Sequence, residues 1–248
     1  MLKQWFDQTR KACWNMIARD YPEQRDKYCI VQDMIAATLK NGDLVLDAGC
    51  GHKSIVPQVG GIAYRIVGID MVHEDVKQNR SLGLGAIANI DHIPLADGSV
   101  HMVVCNMVFE HLQNPSMVFK EIARVLKPGG SLIFMTPSVY NIVTIINRLI
   151  PNAFHQRIGH LITGVDESDI FPTFYRANSP ARLRQLLGAE GLIEKDLIMY
   201  QPPPYAFVFS KLICRLVIRY YHFINSKPRL AALRGVIIAR FEKGTSGL

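Results

Sequence analysis

No CxxC pair occurs in these 248 residues, and the five cysteines (Cys13, Cys29, Cys50, Cys105 and Cys214) are scattered and odd in number. That spacing argues against a zinc ribbon or a disulfide scaffold and fits a reducing cytosol. Long apolar runs are missing too: no 18 apolar residues run free of charge, which argues against a spanning helix. The first residues, MLKQWFDQTRKACW, lack the apolar core of a signal peptide, so the cytoplasm is the expected location. Neither GxxxxGK[ST] nor GxGxxG is present, which excludes the common phosphate-cradling loops. Acidic residues fail in one region only. Residues 201–248 carry eight Lys/Arg against Glu242 alone, while residues 1–200 carry 20 of each sign. The net charge of +7 therefore belongs to the C-terminal fifth and calls for a local explanation.

What is present is an ordinary globular composition, 49% hydrophobic and 20% charged, long enough for one large core. Apolar residues recur at helical spacing from Tyr28 to Leu39, after which strands are expected at 44–48, 65–70 and 100–106. Asn114-Pro115 opens a helix that stops at Lys127-Pro128-Gly129-Gly130, where a strand over 131–137 begins. A helix over Ser179–Ala189, a strand near 192–199 and a last strand over Gly235–Phe241 follow. Strands alternating with helices imply an α/β fold with a mainly parallel sheet covered on both faces. A single domain over 1–248 is expected, with a helical cap over 1–40. Two segments exceed economical connections: 138–178, expected to form a lid over an acceptor, and 201–232 before the last strand.

The most informative stretch is LVLDAGCGHKS, residues 44–54. It reads as a strand, an acidic residue, then a glycine turn expected to open a helix, with glycines allowing a ligand close to the backbone. Asp70 ends the next strand, RIVGID, where a carboxylate can accept bonds from vicinal ribose hydroxyls. An acidic turn without phosphate-binding features suits a nucleoside bearing an ammonium group, not a pyrophosphate.

Four motifs stand in order: LDAGCG, VGID, NIDHIPLADGSVHMVVCNMVFEHL and EIARVLKPGGSLIFMTP. On these, over roughly Tyr28–Pro137, the chain resembles the class I S-adenosylmethionine-dependent methyltransferases. The likeness is to the small-molecule branch that includes the ubiquinone and menaquinone biosynthesis methyltransferases. The resemblance implies a Rossmann-like, mostly parallel seven-stranded sheet with an antiparallel last strand, and S-adenosyl-L-methionine as cofactor, leaving as S-adenosyl-L-homocysteine. It implies that Asp47, Ala48, Gly49, Cys50 and Gly51 line the methionine portion of the cofactor. Asp70 would take the ribose, Met71 would lie against the adenine, and Asn89 and Ile90 would meet the adenine edge. Asn106 to His111 would close the pocket near the sulfonium. Lys53, Asn89 and His101 depart from the usual pattern, since glycine, aspartate and aspartate are frequent there.

Methyl transfer from a sulfonium needs proximity and orientation first. A base is needed only for a poorly ionised hydroxyl or a carbon acid. The candidate bases are His111, His155 and His160; for His111 the first reading is a loop-stabilising hydrogen bond, and a direct role near the methyl group is the alternative. Cys50 and Cys105 read as small packing residues, not nucleophiles. No metal site is expected. CNMVFEH after the third strand differs from [DN]PP[YF], and no Pro-Cys pair occurs, which argues against methylation of the amino group of adenine or glutamine and of cytosine C5. The expected reaction is methyl transfer to a hydroxyl, in preference to a carbon, of a small apolar acceptor. The alternatives are a nucleic-acid methyltransferase using the basic C-terminus, and a non-catalytic binding module of the same fold. Tyr205–Ile224 is expected to be an apolar helix with Lys211, Arg215 and Arg219 as a basic stripe. Such a helix packs on its own domain, pairs with a second subunit in a homodimer, or lies on a membrane, which would make the chain membrane-associated.

Overall fold

The computed structural model describes residues 2–22, 25–149 and 171–245. Its strands are β1 (Leu44–Ala48), β2 (Arg65–Asp70), β3 (Leu84–Ile87), β4 (Val100–Asn106), β5 (Leu126–Pro137), β6 (Leu192–Tyr200) and β7 (Val236–Lys243). The helices are α1 (Leu2–Asp20), α2 (Lys27–Thr38), α3 (His73–Gln78), α4 (Pro115–Val125), α5 (Ile142–Leu149), α6 (Pro180–Ala189) and α7 (Lys211–Asn225), with 3-10 turns at Phe109–His111, Tyr205–Phe207 and Pro228–Leu233. All seven strands join one sheet in the order β3-β2-β1-β4-β5-β7-β6, mostly parallel with antiparallel last strands and flanked by helices. The inner strands β1 and β4 are buried almost end to end, as a sheet covered on both faces requires. Among the described residues, no helix is long and apolar enough to cross a membrane.

The chain falls into two compact units. One comprises 27–137, 173–198 and 237–248 and carries the sheet. The order of its strands reverses between β1 and β4, so the crevice outside their C-terminal ends is where such a sheet takes ligands. The other unit comprises 1–26, 138–172 and 199–236. In it α1 lies along α7, with Cys13 and Ile17 against Cys214 and Ile218. Phe207, Val217, Tyr221 and Ile224 form a second cluster, packed with Ile142, Val143, Leu230 and Leu233. Buried Asn141 ties the two long insertions together. Its amide nitrogen donates to Gln201 Oε1 (3.2 Å) and the Leu233 carbonyl (3.4 Å), and its oxygen accepts from the Val143 N–H.

Four local expectations are corrected. The glycine turn after β1 does not open a helix: residues 52–64 hold turns and irregular chain, with Pro57 and Gly60-Gly61 interrupting them. β3 had no sequence signal, being four residues at an exposed edge with no apolar alternation. β5 begins at Leu126, which pairs with Val100; the register then shifts to Met102–Ser131, and residues 127–130 bulge out with Gly129 left-handed (φ 75°). The C-terminal helix starts at Lys211, not Tyr205, because the Ser210 hydroxyl accepts from the Ile213 N–H and caps it.

One side chain organises the path from β3 to β4. Arg124 on α4 makes a bidentate pair with Glu121, with both bonds at 2.8 Å, and also bonds Asp97 (2.6 Å), the Leu95 carbonyl (2.8 Å) and the Ile93 carbonyl (2.9 Å). Glu121 in turn accepts from the Ile93 N–H. This clamp anchors the segment that carries Asn89 and Ile90. Arg124→Ala is expected to lower stability by about 2 kcal/mol in urea denaturation. Arg124→Lys is expected to recover less than half of that, because an ammonium cannot reproduce the planar fork.

Candidate functional site

The candidate residues line up along the C-terminal ends of four neighbouring strands. Asp47 and Ala48 close β1, Asp70 closes β2, Asn89 and Ile90 follow β3, and Asn106 closes β4. Register makes them neighbours, since Asp47 pairs with Gly68 and with Val104, and Asp70 pairs with Ile87.

The turn itself is held from three sides. The Gly49 and Cys50 N–H groups both donate to the Ile69 carbonyl (2.8 and 3.1 Å). Asp70 accepts from the Gly51 N–H at 2.9 Å on one carboxylate oxygen and from the Val72 N–H at 3.0 Å on the other. Asn79, buried behind the turn, donates its amide to the Cys50 carbonyl (3.2 Å) and the Gly51 carbonyl (2.9 Å). Both glycines are left-handed, at φ 78° for Gly49 and 51° for Gly51. A Cβ on Gly49 would collide with Val108 Cγ2, so the turn and the segment after β4 touch only because that residue is glycine. Gly51, by contrast, faces open space.

Asp47 is 1% exposed and accepts from the Ser54 hydroxyl, which also accepts from the Val56 N–H (3.1 Å). Burial pushes its carboxyl up to about 7, only partly offset by the Ser54 bond. A cation placed nearby would favour the ionised form. The Cys50 thiol is pushed up to about 12 by desolvation, with Asp47 and Asp70 adding to it, and Cys105 is raised in the same way. Neither is a nucleophile near neutral pH, in keeping with packing roles.

Beyond β4 the chain turns through Met107, a non-glycine residue at φ 55°, into the 3-10 turn that holds Glu110 and His111. Glu110 is 4% exposed, and burial raises its carboxyl above the usual range. It accepts from the Thr136 hydroxyl (3.0 Å), which accepts from the Asn178 amide (2.6 Å). Its backbone carbonyl accepts from the Phe174 and Tyr175 N–H groups (2.7 and 3.1 Å), and Tyr175 is the second left-handed non-glycine. His111 is one-third exposed, its Nε2 4.0 Å from Glu110 Oε1. The Asn106 amide oxygen is buried without a hydrogen-bond partner among the described residues.

Met71 and Asn89 are exposed and Ile90 partly so, flanking Asp70 on the same sheet end. His155 and His160 lie outside the described residues. His101 sits at the opposite end of β4, accepting from the Leu44 N–H (3.0 Å) beside Lys127, a structural position. Sequence reasoning does not reach Ser54, Asn79, Glu110, Thr136 and Asn178 as buried support for the site. The only trace in the sequence is that each is polar and that Glu110 and Thr136 lie inside motifs, while Asn178 lies far beyond the last of them.

Residues 46–134 match the family described as "Methyltransferase domain". A ubiquinone biosynthesis O-methyltransferase of Xanthomonas oryzae is 29% identical over 140 residues, covering 50% of this chain and 59% of that protein. A probable S-adenosylmethionine-dependent methyltransferase of Mycolicibacterium smegmatis is 34% identical over 97 residues, covering 38% of each. The chain thus spans about three fifths of the first relative's length and less of the second's. Among solved structures, the geranyl diphosphate C-methyltransferase of Streptomyces coelicolor superposes with a TM-score of 0.53 at 16% identity, over 88% of this chain and 78% of that one. The (4+2)-cyclase SpnF does so with 0.52 at 17%, over 88% and 82%. These structures share the fold, and the fold alone does not name a reaction.

Ser54→Ala is expected to cost about 1–3 kcal/mol, because it leaves the buried Asp47 carboxyl and the Val56 N–H without their partner. Thermal unfolding checks this, and Ser54→Thr, which keeps the hydroxyl, is expected to lose less. Gly49→Ala is expected to lose more than either, through its collision with Val108 and its left-handed backbone.

Proposed function

Because the chain belongs to the class I S-adenosylmethionine-dependent methyltransferases, we propose that it transfers a methyl group to a hydroxyl oxygen of a small, apolar acceptor. The observation that carries this reading is the tethered turn, in which Asp70 holds the Gly51 N–H at 2.9 Å while Gly51 opens onto free space. Two backbone donors fix the Asp70 carboxylate, yet each oxygen keeps lone pairs for vicinal ribose hydroxyls. Asp47, Ala48, Gly49, Cys50 and Gly51 would hold the amino-acid end of the cofactor. The buried Asp47 supplies negative charge for its ammonium, and the unpartnered Asn106 oxygen supplies an acceptor. Met71 and Ile90 would flank the adenine, with the Asn89 amide at its edge. When bound, S-adenosylmethionine supplies a methyl group on a positively charged sulfur that leaves without protonation.

What remains for the chain is orientation and a proton. His111 would take the acceptor's hydroxyl proton on a ring nitrogen. Glu110, anchored by Thr136 and Asn178, stands beside the ring and favours the imidazolium that results. The apolar character of the acceptor is inferred from the family branch. Hydroxyl over carbon follows the sequence likeness to the O-methyltransferases.

Isothermal titration with S-adenosylmethionine and S-adenosylhomocysteine tests the first half, and absence of heat with both would sink the enzyme reading in favour of a non-catalytic module. Asp70→Ala is expected to weaken binding by about 10- to 100-fold, the worth of a hydrogen bond to a charged group. Cofactor affinity is expected to fall between pH 7 and 5.5. Asp47 titrates near 7 in the free protein, and the protonated form offers no charge to the ammonium. A profile flat over that range removes Asp47 from this role. For the second half, incubation with methyl-labelled cofactor and a panel of apolar phenols, with the product read by mass spectrometry and NMR, is expected to give an O–CH3 group. A C–CH3 product overturns the hydroxyl assignment, and label on RNA overturns the small acceptor. His111→Ala is expected to lower kcat about a hundredfold or more while leaving the cofactor Kd within about threefold.

A further inference from the structure

A surface helix in a globular protein normally buries one apolar stripe and turns a polar face to water. Helix α7 does not. Cys214, Val217, Ile218, Tyr221 and Ile224 form its buried stripe, which satisfies α1 and the Phe207 cluster. Diametrically opposite, at 100° per residue, lie Leu212, Leu216 and Phe223, exposed by 64%, 55% and 56%. The crown of the outward face is therefore largely apolar as well. Arg219 shares that crown, and Lys211, Arg215 and His222 run along one flank of it, all exposed. The helix contains no Asp or Glu. Just before it, Phe209 is 39% exposed. In the same unit Trp14 and Tyr205 are 44% and 49% exposed, with ring centroids 5.0 Å apart.

We propose that this outward face of α7, together with the exposed aromatic residues of its unit, seats the chain on an anionic lipid surface. Leu212, Leu216 and Phe223 would enter the boundary between headgroups and acyl chains, as the apolar face of an interfacial helix does. Lys211 and Arg215 would meet the lipid phosphates from the flank and Arg219 from the crown itself, their aliphatic stems lying along the apolar side chains. Trp and Tyr are side chains that favour the same depth. The helix lies on the surface and does not cross it, since at 15 residues it is too short and too charged to span.

Charge decides among the occupants of this face. A second copy apposed by a two-fold axis would bring two sets of Lys211, Arg215 and Arg219 together with no carboxylate on either helix to receive them. A nucleic acid would use the cations and leave three large apolar side chains against phosphate and water. An anionic bilayer complements both halves of the face at once. The surface exists independently of the methyl-transfer reading, and an apolar acceptor dissolved in lipid would give it a use.

Co-sedimentation of the full chain with vesicles tests this: phosphatidylglycerol mixed into phosphatidylcholine in one arm, phosphatidylcholine alone in the other. Partition is expected onto the anionic vesicles, weakening in high salt and being much lower on the neutral ones. The triple variant Lys211→Gln, Arg215→Gln, Arg219→Gln is expected to lose about a hundredfold in partition, at about 1 kcal/mol per cation near the surface. Leu212→Ser with Leu216→Ser, which leaves every charge in place, is expected to lose partition as well. Circular dichroism and S-adenosylhomocysteine titration of each variant show that the fold is intact. Failure of cofactor binding in the parent chain would count against the methyl-transfer reading alone. Equal partition on both vesicle types, or a triple variant that sediments like the parent, overturns the proposal. So does a dimer in light scattering that the Leu212→Ser, Leu216→Ser pair dissociates, or a tight RNA complex lost in the triple variant.

Discussion

The bond from the Gly51 N–H to the Asp70 carboxylate ties the end of one parallel strand to the end of its neighbour, and the candidate site is built outward from it. In many α/β folds the turn after the first strand is stabilised by the helix that follows it. Here no helix follows, so the turn must be held by side chains. Asp70 takes its N–H, Asn79 takes two of its carbonyls, and Ser54 closes the loop back onto Asp47. Each clamp satisfies backbone groups that would otherwise be orphaned in a partly buried place. The left-handed glycines make the geometry accessible, and the clamps make it persistent.

Two buried carboxyls flank this turn with different support. Asp47 has one hydroxyl donor and is otherwise desolvated, which leaves it near its titration point at neutral pH. Glu110 also rises through burial, but the Thr136 hydroxyl, His111 and its own backbone pull it back down. The first arrangement gains most from an added cation. The second gains most when a proton reaches the neighbouring imidazole. The same desolvation thus prepares two different responses, and the partners of each group decide which.

How much of this was legible follows from what leaves a periodic or local mark. β1, β2, β4 and α4 carry apolar periodicity or turn residues, and each lies within a residue or two of its expectation. Asp47, Gly49, Gly51 and Asp70 stand out because acid-glycine patterns at strand ends have few purely structural uses. β3 did not show, since an edge strand with three exposed residues of four has no buried face to pattern it. The absence of a helix after Gly51 is not legible locally, because the glycine turn resembles those that open helices, while the breakers Pro57 and Gly60-Gly61 lie further on. Ser54, Asn79, Arg124 and Asn178 could not be picked out: a polar residue that is buried and satisfied looks, in sequence, like any polar residue at the surface.

The same limit applied to α7, with a different consequence. Lys211, Arg215 and Arg219 recur every fourth residue, and that spacing identifies a polar stripe. It does not say whether the apolar remainder is one face or two. Packing against α1 uses only the sector around Cys214, Val217, Ile218, Tyr221 and Ile224, and that alone suffices to hold the helix in its unit. Leu212, Leu216 and Phe223 add nothing to that packing, and each exposes more than half of its surface to water. Were the helix selected only to cover a core, those three positions would be the least constrained and the least costly to make polar. That they are large and apolar, in a segment with eight cations and one carboxylate, is what the proposed anionic lipid surface would account for.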